Sequence, residues 1–155
     1  MRNPYKKLLS KIKSSHDVAP TRITVRKDGT YDEEKFKKRM EEAKNNPVLI
    51  TEKDLEEQYE KQNGCDYWFS TQGIYIPLNL MDVFNEEGWY PWAPSVDKLE
   101  PELGYVPGNF CLTFRFLNFG RCKYSGSMEQ VMNTFINMCK NENSKPNSTL
   151  LEFIK

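Results

Sequence analysis

This sequence has little histidine, no closely spaced cysteines and no long apolar run. The single histidine and the 4 cysteines, none in a C-x-x-C pair, argue against a structural zinc site, which takes about four convergent thiolate or imidazole ligands. No apolar run approaches the roughly 20 residues of a membrane-spanning helix, and nothing resembles a signal peptide. We therefore expect a soluble protein with free thiols, no structural zinc and no membrane partner.

Positive and negative charges balance over the whole chain, but they are unevenly distributed along it. The chain has 22 Lys and Arg and 22 Asp and Glu. Residues 1–40 carry 12 basic and 5 acidic side chains, whereas the other 115 residues carry 10 and 17. This asymmetry is compatible with phosphate binding at one end and a cation site at the other. A solvated charged helix explains the basic part equally well.

The length of 155 residues and the 38% hydrophobic content predict one domain, or a compact domain with an appended arm. We expect a basic helical arm over residues 1–46, a core over 47–126, and a C-terminal helix and tail over 127–155. Within the arm, the sequence pattern predicts a basic amphipathic segment over 1–20, a short strand over 21–25 and a charged helix over 32–46. Ser127 is the expected N-cap of the last helix.

The start of the predicted core carries strong helix signals. Thr51 and Asp54 have the spacing of a capping box, in which the hydroxyl and the carboxylate satisfy backbone amides reciprocally. The helix is expected to continue through Lys61 and to end at Asn63 and Gly64, which favour a left-handed conformation.

Strand signals follow this helix. Residues 67–69 and 74–76 flank a polar loop and predict a β-hairpin. Two further strands are expected over 96–99 and 110–114, followed by a short helix that begins near Arg115 or Phe116.

Residues 94–118 combine these strands with oxygen-bearing side chains. Asp97 stands at the end of a short apolar run, and a loop rich in Gly and Pro then ends at Asn109. A second apolar run follows, and Asn118 falls where helical character begins. A strand, a loop pinned by an amide, a strand and a helix with an oxygen ligand would form a small cage for a hard divalent ion.

Two stretches together resemble the HNH endonucleases of phage and virus type. Residues 60–65 (EKQNGC), 67–68 (YW), 73–74 (GI) and 76–78 (IPL) look like that family's "KQxGxCxxSGxPL" lead-in. Residues 94–109 (PSVDKLEPELGYVPGN) are similar to its "PSxDRIDxxxGYxxGN" segment, and Asn118 within RFLNFGR matches its closing Asn. The resemblance covers roughly residues 50–125. It implies an α+β fold with a ββα-metal (His-Me finger) core, preceded by a β-hairpin and flanked by N- and C-terminal helices.

The resemblance also implies an activity and a set of site residues. It implies a metal-dependent endonuclease that hydrolyses DNA phosphodiester bonds and leaves 5′-phosphate and 3′-hydroxyl ends. By position, Asp97 and Asn118 would bind the divalent metal, Mg²⁺ or alternatively Mn²⁺, and Asn109 would tie the loop through backbone hydrogen bonds. The implied catalytic set is Asp97, Lys98, Asn109 and Asn118.

The sequence departs from the better-known pattern at the general base. Most HNH enzymes have a histidine directly after the metal-binding Asp, but here that residue is Lys98, a poor base at neutral pH with a reference pKa of about 10.4. Lys98 then holds a phosphate, or another group such as Tyr105, Glu100, Glu102 or a metal-bound hydroxide activates water. In a third interpretation the chemistry is weakened or lost, and the domain binds DNA or a protein partner. His16 is a further candidate base, although a lone histidine in a polar arm is more often solvated.

The basic residues around Asn118 are candidate contacts to nucleic acid. Arg115, Arg121 and Lys123 join Lys98 in this set, because Arg suits bidentate phosphate contacts; pairing with acidic residues is equally compatible. The arm over 2–39 is expected to add backbone affinity that weakens as salt rises. DNA is the expected partner, a protein contacted by the acidic body is a further hypothesis, and a homodimer is left open. We expect a cytoplasmic protein, in the host cytoplasm if a phage or virus encodes it.

Overall fold

A computed structural model of the protein describes residues 2–18, 32–85 and 90–123. Among these residues the α-helices are α1 (Pro4–Val18), α2 (Glu33–Asn45), α3 (Glu52–Lys61), α4 (Tyr67–Ser70) and α5 (Arg115–Lys123), and the strands are β1 (Pro94–Lys98) and β2 (Phe110–Phe114). Short 3₁₀ helices span Leu80–Phe84 and Pro101–Leu103. The fold is therefore mixed α+β, as predicted. The strand predicted over 21–25 and the helix predicted from Ser127 lie outside the described residues.

β1 and β2 form an antiparallel pair in which Asp97 lies opposite Cys111 and Ser95 opposite Thr113. Side chains alternate along a strand, so these four residues share one face of the sheet. We call the surface formed by Ser95, Asp97, Cys111 and Thr113 the polar face. Helix α5 begins at Arg115, directly after β2 ends at Phe114.

Side-chain amides form hydrogen bonds with backbone groups at the outer edges of this small sheet. At Leu112 of β2, the backbone N–H donates to Gln62 Oε1 over 2.9 Å, and the carbonyl accepts from Gln62 Nε2 over 2.8 Å. On the other edge, Val96 O accepts from Asn118 Nδ2 over 2.9 Å. An unpaired backbone group costs free energy when it is buried, so Gln62 and Asn118 take the place of neighbouring strands.

Helix α3 confirms the prediction from its capping box. The Thr51 backbone N–H donates to Asp54 Oδ2 over 2.7 Å, and the Asp54 N–H donates to Thr51 Oγ1 over 3.3 Å. The helix ends at Lys61, and the chain then turns through Asn63 with φ 51° and Gly64 with φ 70°. These values lie in the left-handed region expected for an Asn-Gly stop.

The β-hairpin predicted over residues 67–69 and 74–76 is wrong. Residues 67–70 form the single helical turn α4, because the Asp66 carboxylate caps it by accepting from Phe69 N–H over 2.9 Å. Antiparallel pairing is found just outside the predicted strands, at the isolated bridge between Cys65 and Pro77. The aromatic residues of α4 therefore pack against the sheet from a helical turn and do not form a strand of it.

Helix α1, in the segment predicted as a basic arm, packs into the common core. Its Leu8 and Ile12 are 2% and 8% exposed and belong to the same apolar cluster as Leu112 of β2. Lys11 Nζ donates to Val83 O over 2.8 Å. Among the described residues, no helix is long and apolar enough to cross a membrane.

Candidate functional site

Asp97 lies on the polar face and is largely buried. It is in β1, and only 6% of its surface is exposed. Burying a carboxylate is costly unless donors or a cation compensate its charge. One donor is the indole of Trp68 in α4, whose Nε1–H donates to Asp97 Oδ2 over 3.1 Å. The carboxylate is thus fixed on a regular strand, which holds a side chain more precisely than a loop does.

Asn118 reaches the same face from helix α5. Its Nδ2 donates to Ser95 Oγ and to Val96 O, both over 2.9 Å. Ser95 and Asp97 lie two residues apart on one face of β1, about 7 Å along the strand. The amide nitrogen is therefore held on β1 beside Asp97, and the carbonyl oxygen points away from these two acceptors. Asn118 thus contacts the strand that carries Asp97 through its amide nitrogen.

Asn109 closes the loop between the two strands. Its Nδ2 donates to Glu100 O over 2.9 Å and to Gly104 O over 2.8 Å, and its Oδ1 accepts from Glu100 N–H over 2.9 Å. Gly104 has φ 75°, and a Cβ there would lie 2.5 Å from Pro47 O, so only glycine fits this turn. The backbone hydrogen bonds expected of Asn109 are therefore present, and they fix the loop that follows Asp97.

We expect Asn109→Ala to lower the free energy of unfolding by about 2 kcal/mol, because three loop groups lose a largely buried partner. Urea unfolding measures this loss. Asn109→Asp keeps the acceptor for Glu100 N–H but replaces the donor to two carbonyls, so it should be at least as destabilising. Glu102→Ala, an exposed change in the same loop, should stay within about 0.5 kcal/mol. A loss no larger for Asn109→Ala than for Glu102→Ala would contradict this role.

Lys98, in the position of the family's usual histidine, contacts the loop. Its Nζ donates to Pro101 O over 3.1 Å and lies 5.5 Å from the centre of the Tyr105 ring. These two contacts hold the Lys98 ammonium group against the loop that follows β1.

The other candidate bases differ in their surroundings. Tyr105 Oη lies 3.5 Å from Val96 O, at the edge of β1, whereas Glu100 and Glu102 are exposed. His16 Nε2 lies 2.9 Å from Asn46 O, and the side chain is half-buried. The expectation that His16 is solvated is therefore wrong, because α1 packs against the segment that follows α2.

Of the predicted phosphate contacts near Asn118, Arg115 can be placed. It is half-buried at the first position of α5, and its backbone N–H donates to Ala93 O over 2.8 Å. The side chains of Arg121 and Lys123 lie outside the described part of the chain.

Sequence reasoning missed Asp66, which anchors α4 on the polar face. Asp66 is fully buried; its Oδ2 accepts from Thr113 Oγ1 and from Phe114 N–H, both over 2.7 Å. Burial raises the pKa of the Asp66 carboxyl, against the opposing effect of its hydrogen bonds, which include one from Phe69 N–H. The signal for Asp66 was its N-cap position, but a cap alone does not predict contacts with a strand 47 residues away.

The donor set limits what the site can hold. In the described ranges 2–18, 32–85 and 90–123, no three His, Cys, Asp or Glu side chains come together around a possible metal position. One carboxylate and one amide oxygen are nevertheless the donor types that suit Mg²⁺, which retains several waters and takes substrate phosphates as ligands. Cys65 and Cys111 are free thiols, and burial raises the pKa of Cys65, which leaves it a poor metal ligand.

The resemblance to HNH endonucleases rests on the chain's own residues. The described structure has Asp97 on β1, Asn109 in the connecting loop and Asn118 on α5. Each of the three side chains makes hydrogen bonds that fix it. In comparisons with protein-family models, with curated proteins and with solved structures, nothing matches this chain.

Proposed function

We propose that this protein is a divalent-metal-dependent endonuclease of HNH type that hydrolyses DNA phosphodiester bonds. The observation that supports it best is that Asn118 of α5 donates to Ser95 and Val96 of β1, the strand that carries the buried Asp97 carboxylate.

In this proposal Asp97 and Asn118 hold Mg²⁺ or Mn²⁺ through one carboxylate and one amide oxygen. When bound, the ion supplies stabilisation of the charge that develops on the scissile phosphate and on the leaving 3′ oxygen. Asn109 keeps the loop closed against β1, so that the catalytic strand retains its geometry during the reaction. Water attacks phosphorus in line, and the bond to the 3′ oxygen breaks, leaving a 5′-phosphate and a 3′-hydroxyl.

Positively charged side chains orient the substrate. Lys98 lies next to Asp97 in β1, and Arg115 begins the helix that carries Asn118. Both contact the phosphates that flank the scissile bond. Lys98 does so as a compact positive charge, and Arg115 through paired N–H donors of its guanidinium group. Exposed Lys6 and Lys13 on α1 add non-specific backbone affinity from the same folded body.

A second candidate function is DNA binding without cleavage. It is favoured by Lys98, which stands where a general base is expected and donates instead to the Pro101 carbonyl. A lysine that holds the loop and a phosphate would retain affinity for DNA without activating water.

Nicking of a supercoiled plasmid by the full chain tests the proposal. We expect relaxed circles to form with Mg²⁺ or Mn²⁺, no further nicking once EDTA is added, and nicking to resume when Mg²⁺ is restored in excess. The controls are protein without metal and metal without protein. Plasmid binding in a gel-shift assay with no nicking under any of these cations would reject the nuclease and favour the binding module.

A further inference from the structure

The indole N–H of Trp68 donates a hydrogen bond to one oxygen of the Asp97 carboxylate, on which the candidate site depends. Trp68 Nε1 lies 3.1 Å from Asp97 Oδ2, and the two residues are 29 positions apart in the sequence. This contact is not a side effect of local chain geometry. It needs α4 to be placed over the polar face, and that placement has its own anchor.

The anchor is the residue immediately before α4. Asp66 caps the helix through Phe69 N–H and, with its other oxygen, accepts from Thr113 and Phe114 of β2. Because α4 is a single turn, these bonds fix its position relative to the sheet. Trp68 is half-buried and packs edge to face against Tyr67, with ring centres 5.0 Å apart. The indole N–H is therefore directed at Asp97 by a rigid support.

The indole hydrogen occupies one of the two lone pairs of Asp97 Oδ2 and holds the carboxylate in one orientation, so this oxygen has less left to offer a cation than the other oxygen has. Asp97 is consequently biased to bind an ion through its other oxygen alone. Mg²⁺ and Mn²⁺ accept such single-oxygen carboxylates in octahedral sites, whereas the larger Ca²⁺ often takes both oxygens of one carboxylate.

We propose that Trp68 is a positioning residue that holds Asp97 as a single-oxygen ligand and thereby favours small octahedral cations over Ca²⁺. This inference rests on the proposed function, because it assumes that Asp97 binds a divalent ion. It adds a role for Trp68, which was not among the predicted site residues, and a selectivity that those residues do not specify.

Metal titration by calorimetry on the full chain tests this without reference to activity. Trp68→Phe keeps an aromatic ring but removes the N–H, so Mg²⁺ binding should weaken about 10- to 100-fold, the usual effect of losing a partner of a metal ligand. Ca²⁺ binding should weaken less than about threefold, since the freed oxygen becomes available to the larger ion. Trp92→Phe is the matched control, because Trp92 packs against Phe114 and Phe116. It should bind both ions as the wild type does.

The outcomes separate this inference from the proposed function. If Trp68→Phe binds Mg²⁺ like the wild type, or loses Mg²⁺ and Ca²⁺ affinity equally, while Asp97→Ala abolishes Mg²⁺ binding, the positioning role is overturned and the metal site stands. If Mg²⁺ binding survives Asp97→Ala, the proposed metal site fails and the inference fails with it.

A spectroscopic measurement avoids dependence on the fold of Trp68→Phe. In the ¹H–¹⁵N spectrum of the wild type, the Trp68 indole signal should lie downfield and should move when Asp97 is replaced by alanine. The Trp92 indole signal should stay in place. A Trp68 signal that does not respond to Asp97→Ala would overturn the proposal.

Discussion

Asp97→Ala is expected to reduce Mg²⁺-dependent nicking of supercoiled plasmid about a thousandfold. The substitution removes the carboxylate that the proposal makes the charged ligand of the ion. A loss of this size corresponds to about 4 kcal/mol of transition-state stabilisation, within the range that a bound metal supplies to phosphoryl chemistry. The initial rate of conversion of supercoiled to relaxed circles, measured over a series of Mg²⁺ concentrations, gives the comparison with the wild type.

Two further variants separate chemistry from folding. Asp97→Asn keeps the size of the side chain and an oxygen that can accept from Trp68, so it should fold like the wild type and still lose nicking. Glu57→Ala removes an exposed acid on α3 that pairs with Lys53 over 3.5 Å, and it should leave the rate unchanged. Nicking by Asp97→Ala at the wild-type rate would show that the ion is bound elsewhere.

The elements predicted correctly from the sequence are those with local signals. Helix α3 follows from the Thr51 and Asp54 capping box, and its end follows from the two residues that tolerate positive φ. Strand β2 was placed at its observed bounds because a short apolar run is bracketed by a Gly/Pro loop and a helix start. In each case the interactions that determine the element are between residues only a few positions apart in the sequence.

The error at residues 67–69 has the opposite cause. Tyr, Trp and Phe in succession favour a strand by intrinsic preference, which is weak and depends on tertiary context. What decides the helical turn is Asp66, whose oxygens are shared between the α4 cap and β2 residues 47 and 48 positions away. No spacing within the segment encodes such a contact.

The same distinction applies to the candidate site. Asp97, Asn109 and Asn118 were singled out because a motif places them, and their neighbours are the strands and loop of one contiguous segment. Trp68 and Gln62 lie in the resembling lead-in but were not predicted as site or supporting residues, since their bonds to Asp97 and Leu112 cross 29 and 50 residues of sequence. The candidate ligands were therefore easier to single out from the sequence than the side chains that contact them.

Asp66→Ala is expected to be the most destabilising single change in the described part of the chain, lowering the free energy of unfolding by about 4 kcal/mol. Three donors, the N–H groups of Phe69 and Phe114 and the hydroxyl of Thr113, would lose a fully buried acceptor. Each buried donor left unsatisfied costs about 1–3 kcal/mol, and the small cavity adds to the loss. Urea unfolding followed by circular dichroism measures the change in midpoint.

Asp54→Ala is the matched control, because it removes an exposed carboxylate that caps a helix and contacts no strand. It should cost about 1 kcal/mol, the usual effect of losing a cap. Asp66→Asn retains one oxygen and presents an amide NH₂ to at least one of the three donors, so it should lie between the two alanine variants. If Asp66→Ala cost no more than Asp54→Ala, Asp66 would be a helix cap alone. The anchoring of α4 on β2, and with it the rigid support of Trp68 beside Asp97, would then have to come from other contacts.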